Sequence, residues 1–191
     1  NKVVLINIFT GQNDAKETVS SGTYLKQVGY SDRKKLFSDR ISEDLEASKN
    51  LGVNKVINLG FIDALWRKKQ DTVLGKYLPE FDRAYPVYRY HIIKGNISKY
   101  DKNLINKISI ELKKVITDRN VEIYCPMGFG NHVDHLVVRD ACRQSFSESK
   151  ITYWSDYPYI NRENSLTSFY QNNIFRTTEI KVVPEIKNTA C

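Results

Sequence analysis

Strand-like and helix-like stretches alternate along the 191 residues, and the alternation predicts an α/β protein, a Rossmann-like three-layer fold with a mostly parallel sheet covered on both faces. Three stretches carry this reading. Val3–Phe9 is an apolar, β-branched run closed by Thr10–Gly11, the profile of a buried parallel strand. Asp101–Asp118 places Leu104, Ile108, Leu112 and Val115 on one apolar stripe, the mark of a helix packed on one face. Val121–Cys125 reads as a strand, followed by a glycine-rich turn and a helix from about Asp134 to Phe146.

The other elements fill in between. After a polar loop, Asp39–Leu51 carries Ile41, Leu45 and Ala47 at helical spacing, with Gly52 placed to end the helix. Val53–Leu59 is a second short strand, Ile151–Trp154 another, and Phe175–Val183 an edge strand. The segment Arg67–Lys99 is long, aromatic and poorly periodic, and is read as an insertion over the sheet edge or the pocket mouth. No internal repeat, low-complexity tract or Gly/Ser linker divides the chain, so one domain is expected.

Composition narrows the function. A hydrophobic share of 41% with 12% aromatics belongs to a folded chain. The longest apolar runs fall well short of the ~20 residues that span a bilayer, so no membrane span is expected. The net charge is +7, but the lysines are scattered singly or in pairs among acidic residues and form no like-charged block. That pattern predicts a solvated basic surface without a nucleic-acid module, an anionic partner being the alternative. Cys125, Cys142 and Cys191 form no CxxC and leave an odd count, which favours a reducing, cytoplasmic interior, with Cys125 and Cys142 as small core residues.

Chemistry concentrates after Cys125–Pro126. Met127-Gly128-Phe129-Gly130-Asn131-His132-Val133-Asp134-His135 lies where strand passes to helix, and open α/β sheets build their sites at such carboxyl ends. Gly128, Gly130 and Asn131 permit the tight backbone that exposes the side chains beyond them. His132, Asp134 and His135 fall within one helical turn. Asp134 is placed to cap the helix and to orient an imidazole, and neutral imidazole is the commonest nitrogen ligand for zinc. The competing reading is a capped helix carrying two surface histidines.

Gly128-Phe129-Gly130-Asn131-His132-Val133-Asp134-His135 resembles the second motif of the PIG-L/LmbE zinc-dependent de-N-acetylases, in particular the branch with Gly-x-Gly-Asn-His-Val-Asp-His. Weaker landmarks fall in the same order: Phe9-Thr10-Gly11, Arg40 with Glu43-Asp44, Leu51-Gly52, Asp63-Ala64 with Arg67, and Asp156-Tyr157-Pro158-Tyr159. The resemblance runs from about residue 2 to residue 160. It implies hydrolysis of an N-acetyl group on an amino sugar or glycoconjugate by a zinc-bound water. His135 takes the position of a zinc ligand. His132 takes that of the histidine that stabilises the oxyanion and protonates the leaving amine, and Asp134 would hold His132 in its tautomer. Arg40, Asp63 and Arg67 are candidates to line the sugar pocket, with structural salt bridges as the alternative. Phe129 and Tyr157, together with Trp66 and Tyr159, are candidates to stack on a sugar, with core packing as the alternative.

The chain departs from the family in one respect. No His-x-Asp-Asp, the family's first motif and the source of two zinc ligands and a general base, occurs in it, and His91 sits in an unrelated context. The family places that motif before the segment beginning at Asn1, so the expectation is a single de-N-acetylase domain over residues 1–191, cut at both ends. The rival is a non-catalytic carbohydrate-binding protein of the same fold. A nucleotide-binding reading is disfavoured, because no Gly-x-Gly-x-x-Gly follows the first strand.

Overall fold

The computed structural model describes residues 2–155, 168–173 and 175–176. The described residues gather into two compact units, one holding residues 2–14 and 21–63 with Arg176, the other residues 15–20, 64–155, 168–173 and 175. Each contains one two-stranded parallel sheet.

In the first unit β1 (Val4–Asn7) pairs with β2 (Lys55–Asn58) in the register Val4↔Lys55 to Asn7↔Asn58. The strands are joined through α1 (Val19–Gln27), which begins in the other unit, and α2 (Arg33–Asn50). Asp32 caps α2, its carboxylate accepting from the N–H groups of Lys34 and Lys35, so the helix starts six residues earlier than its apolar spacing indicates. Leu36 and Phe37 form its buried face while Leu45 is 49% exposed. The helix ends as expected at Gly52, whose φ of +71° suits a residue without a side chain. The expectation of a buried first strand is corrected: the strand is parallel, but Val4 and Leu5 are exposed and only Ile8, just beyond it, is buried. The helix α1 lies in the polar stretch that the sequence presents as a loop. Gly22, the β-branched Val19 and Thr23, and the single buried apolar residue Leu25 give it little helical pattern.

In the second unit β3 (Ile123–Pro126) pairs with β4 (Ile151–Trp154) in the register Ile123↔Ile151 to Pro126↔Trp154. The core of this unit is the packing of α3 (Lys102–Val115) on α4 (Val133–Ser145) and of α4 on β3. Ile108 and Leu112 of the α3 stripe are buried, as are Val133, Leu136, Val137 and Ala141 on α4. Cys125 and Cys142 are buried free thiols, as their sequence context indicates. Residues 64–101 contain short turns of 3₁₀ helix, one π-helical turn at Tyr88–Ile92 and a single antiparallel bridge between Lys68 and Arg83, in keeping with the missing periodicity there. A short helix, α5 (Ser168–Gln171), follows β4. Of the segment 175–183, Phe175 and Arg176 are in no regular element and the rest lies outside the described residues.

Candidate active site

The histidines stand on a strand-to-helix crossing whose backbone is set by glycine. Beyond Pro126, Gly128 has φ +89°, Gly130 +78° and Asn131 +58°. At Gly128 the left-handed conformation disfavours a side chain, and a Cβ would press on the end of Leu136, 2.6 Å from its Cδ2. Asn131 N–H closes the turn onto the Gly128 carbonyl at 3.1 Å, and the Met127 carbonyl accepts from Arg139 Nη1 on α4 at 3.2 Å. The chain therefore enters α4 at a defined angle.

His132 is the N-cap of α4. Its Nδ1 accepts from the backbone N–H of Asp134 at 3.3 Å. The cap expected from Asp134 thus comes from the histidine instead. An Nδ1 that accepts leaves the proton of the neutral ring on Nε2. His135 follows one turn later, its ring centroid 5.3 Å from that of His132. Both rings are half-buried.

Asp134 reaches His132 through its backbone rather than its carboxylate. One carboxylate oxygen accepts from Ala64 N–H at 2.9 Å and the other from Arg67 Nη2. Arg67 donates through Nη1 to Asp101, the N-cap residue of α3, and Asp101 also accepts from the Tyr85 hydroxyl at 2.7 Å. The Tyr85 oxygen in turn accepts from Ser98 N–H at 2.9 Å. All four side chains, Arg67, Tyr85, Asp101 and Asp134, are buried. One guanidinium faces two carboxylates, and the residual negative charge sits where the positive ends of the α3 and α4 dipoles offset it. Burial alone pulls the Arg67 guanidinium down, but the two carboxylates outweigh it and hold it above its ordinary value. Burial pushes the Tyr85 phenol well up, and its bond to Asp101 adds to that.

The remaining sequence candidates divide. Arg67 is the structural salt bridge, a clamp between the starts of two helices. Phe129 is 3% exposed and packs on Tyr170 with ring centroids 5.5 Å apart, so its place is in the core. Trp66 is likewise buried, its Nε1 donating to Glu17 at 2.7 Å. Arg40 belongs to the first unit, where it donates to the Tyr24 hydroxyl and lines a cavity of about 230 Å³ with Asn7, Thr10, Phe37 and Asp44. Asp63 is half-buried at the end of that unit. Tyr157 and Tyr159 lie outside the described residues.

Two neighbours of the histidines carry no signal in the sequence. Tyr88, from the aperiodic segment, places its ring 6.1 Å from that of His132. Gly95 comes so close to the turn that a Cβ there would sit 3.1 Å from Asn131 Cβ. The segment read as an insertion near the pocket mouth therefore packs on the histidine turn. His91 lies within it, its ring bonded locally to the Val87 backbone.

A zinc site of a hydrolase takes three protein donors. Among the described residues no cluster of three or more His, Cys, Asp or Glu is assembled, so the histidine turn fits part of such a site and not the whole. Among those residues, too, no helix is long and apolar enough to cross a membrane.

No family model matches the chain, and no curated protein matches it by sequence. Solved structures do match. A deacetylase–teicoplanin complex from teicoplanin biosynthesis aligns with a TM-score of 0.73 at 18% identity, covering 99% of this chain and 72% of that one. The zinc-inhibited form of teicoplanin deacetylase aligns at 0.70 and 18%, covering 99% and 70%. The A40926 pseudoaglycone deacetylase aligns at 0.66 and 18%, covering 100% and 66%. At these identities the likeness speaks for the backbone: the chain has the fold of these deacetylases.

Proposed function

We propose that this protein is a zinc-dependent de-N-acetylase of the PIG-L/LmbE type, a single Rossmann-like three-layer domain that hydrolyses an N-acetyl group on an amino sugar or glycoconjugate in the cytoplasm. The observation that carries the reading is the pair His132 and His135, held 5.3 Å apart at the carboxyl end of β3. The shared fold with deacetylases, one of them bound to teicoplanin, supports an acetylated glycan-type substrate.

In this reading His135 is a zinc ligand, and the further ligands come from outside the described residues. A zinc ion held through His135 would supply Lewis acidity toward the amide carbonyl and toward a water. The chain's own contribution centres on His132. With Nδ1 held by the Asp134 N–H, the neutral ring presents an Nε2–H donor, which is what a developing oxyanion requires. Proton delivery to the leaving amine requires the charged ring. In that form Nδ1 also carries a proton and releases its bond to Asp134 N–H. Asp134 and Arg67 keep the cap in register by tying the first turn of α4 to Ala64 and Asp101. Arg40, Asp63 and Tyr157 remain the substrate-side candidates.

The test is acetate release from N-acetylglucosamine derivatives by the wild-type protein, with and without a chelator, beside His132→Ala. Chelator-sensitive release that falls about 10²–10⁴-fold in His132→Ala is the expected result. Carbohydrate binding with no release under any metal condition would replace the enzyme with the non-catalytic reading.

A further inference from the structure

The loop between Thr72 and Arg83 is built inside out. Its polar groups turn inward onto Asp82, which is 7% exposed. That carboxylate accepts from Thr72 N–H at 2.8 Å and Thr72 Oγ1–H at 2.7 Å, and Thr72 Oγ1 accepts from Gly75 N–H at 2.8 Å. Gly75 approaches so closely that a Cβ would lie 2.0 Å from the carboxylate. Lys69 N–H donates to the Asp82 carbonyl at 2.8 Å and closes the base. The apolar side chains point the other way: Val73 is 75% exposed, Leu74 56%, Tyr77 81%, Leu78 54% and Phe81 47%. Val19, 80% exposed, is fastened beside them by its N–H on Glu80 Oε1 at 2.8 Å. Isolated exposed apolar residues need no explanation, but six of them on one pinned loop and its neighbour do.

Charge indicates what they meet. Lys16 Nζ donates to the Lys76 carbonyl at 2.9 Å, which puts two exposed lysines at the edge of the patch, and Lys68 and Lys69 flank its base. Lys68 is paired with Asp71, so the lysines left for an anionic partner are Lys16, Lys69 and Lys76, while Glu80 is taken up by Val19 N–H and Asp82 is turned into the loop. An apolar tip with Tyr, Leu and Phe ringed by lysines, on a chain of net charge +7, matches an anionic lipid surface, where apolar groups enter the acyl boundary and each nearby lysine strengthens binding about fivefold. A loop already held by its internal bonds loses little conformational freedom on insertion.

We propose that this loop docks the protein on the surface of an anionic bilayer, with Leu74, Tyr77, Leu78 and Phe81 inserted and the lysines on the head groups. The experiment is co-sedimentation with vesicles of phosphatidylcholine alone and of phosphatidylcholine with phosphatidylglycerol. The protein should bind the phosphatidylglycerol vesicles at least about tenfold more tightly, and added salt should weaken that binding. Leu74→Ser with Leu78→Ser should lose about tenfold or more, with an unchanged circular dichroism spectrum because both side chains are exposed. Leu45→Ser, an equally exposed leucine on α2, should bind like wild type. Absence of vesicle binding, equal binding to both vesicle types, or equal binding by the double variant would overturn the proposal. So would self-association that the double variant abolishes, which would make the patch an interface between copies.

Discussion

The two parallel strand pairs are built alike and loaded differently. Each has four residues in register and a helical crossover. Around β1–β2 the polar contacts next to the strands lie at or near the surface, although Arg33 and Ser48 on α2 are buried: Asn7 bonds Asp44 and Asn58 in exposed positions, and Arg40 meets Tyr24 at the edge of a small cavity. Around β3–β4 the ions are buried, with Arg67 locked between Asp101 and Asp134, and the backbone of Asp134 holds a histidine. An exposed ion pair contributes about 0–1 kcal/mol, whereas breaking a buried one leaves an uncompensated charge at about 3–5 kcal/mol. The precision of the histidine turn therefore rests on a buried guanidinium held between two carboxylates.

Substitutions of corresponding type in the two units sharpen this contrast. The largest effect is expected in turnover. His132→Ala should lower kcat by about 10²–10⁴-fold, while Arg40→Ala, if that side chain lies on the substrate side, should act on KM with kcat near wild type. Steady-state kinetics on one substrate separates the two. Comparable kcat losses in both would dissolve the distinction.

Next comes an arginine against an arginine. Arg67→Met should destabilise the fold by about 3–5 kcal/mol, since it strands two buried carboxylates, and Arg40→Met by no more than about 1 kcal/mol. Urea unfolding midpoints give both values. A glycine pair gives a smaller difference. Gly128→Ala meets Leu136 and a left-handed backbone and should cost about 2–4 kcal/mol, while Gly52→Ala has open space and only the backbone cost of about 1 kcal/mol. Equal losses at the two glycines would mean the turn yields more readily than its contacts suggest.

The smallest effect is a dependence on pH. Tyr85 is raised above its ordinary 10.0 by burial and by Asp101, so the folded state keeps a proton that the unfolded chain releases. Its contribution is present in full below about pH 10 and is lost as pH rises beyond it. Tyr85→Phe should cost about 1–3 kcal/mol at neutral pH and flatten the alkaline fall in stability. An unchanged alkaline slope would assign that fall to other groups.

How much of this was legible depended on how far apart the interacting residues lie. Strand β3, its turn and α4 were readable because apolar run, glycine pair and helical stripe are contiguous, and Gly128, Gly130 and Asn131 took the backbone their types allow. The ion clamp was not. Arg67 stands 34 residues from Asp101 and 67 from Asp134, and no local spacing relates them. The same blindness hid Tyr88, which arrives at His132 from a segment without periodicity, and α1, whose few apolar residues leave no stripe. In the sequence Asp134 is placed to cap α4. Arg67 claims that carboxylate, and the histidine takes its place.

The central claim is that the histidine turn supplies one zinc ligand, His135, and the catalytic His132 of a hydrolytic site. The most direct measurement is the zinc content of the intact natural protein and of its His135→Ala variant by elemental mass spectrometry, after equilibration with equal zinc. The account predicts zinc retained by the wild type and by His132→Ala and lost from His135→Ala. Equal zinc in wild type and His135→Ala, or loss from His132→Ala alone, would contradict it.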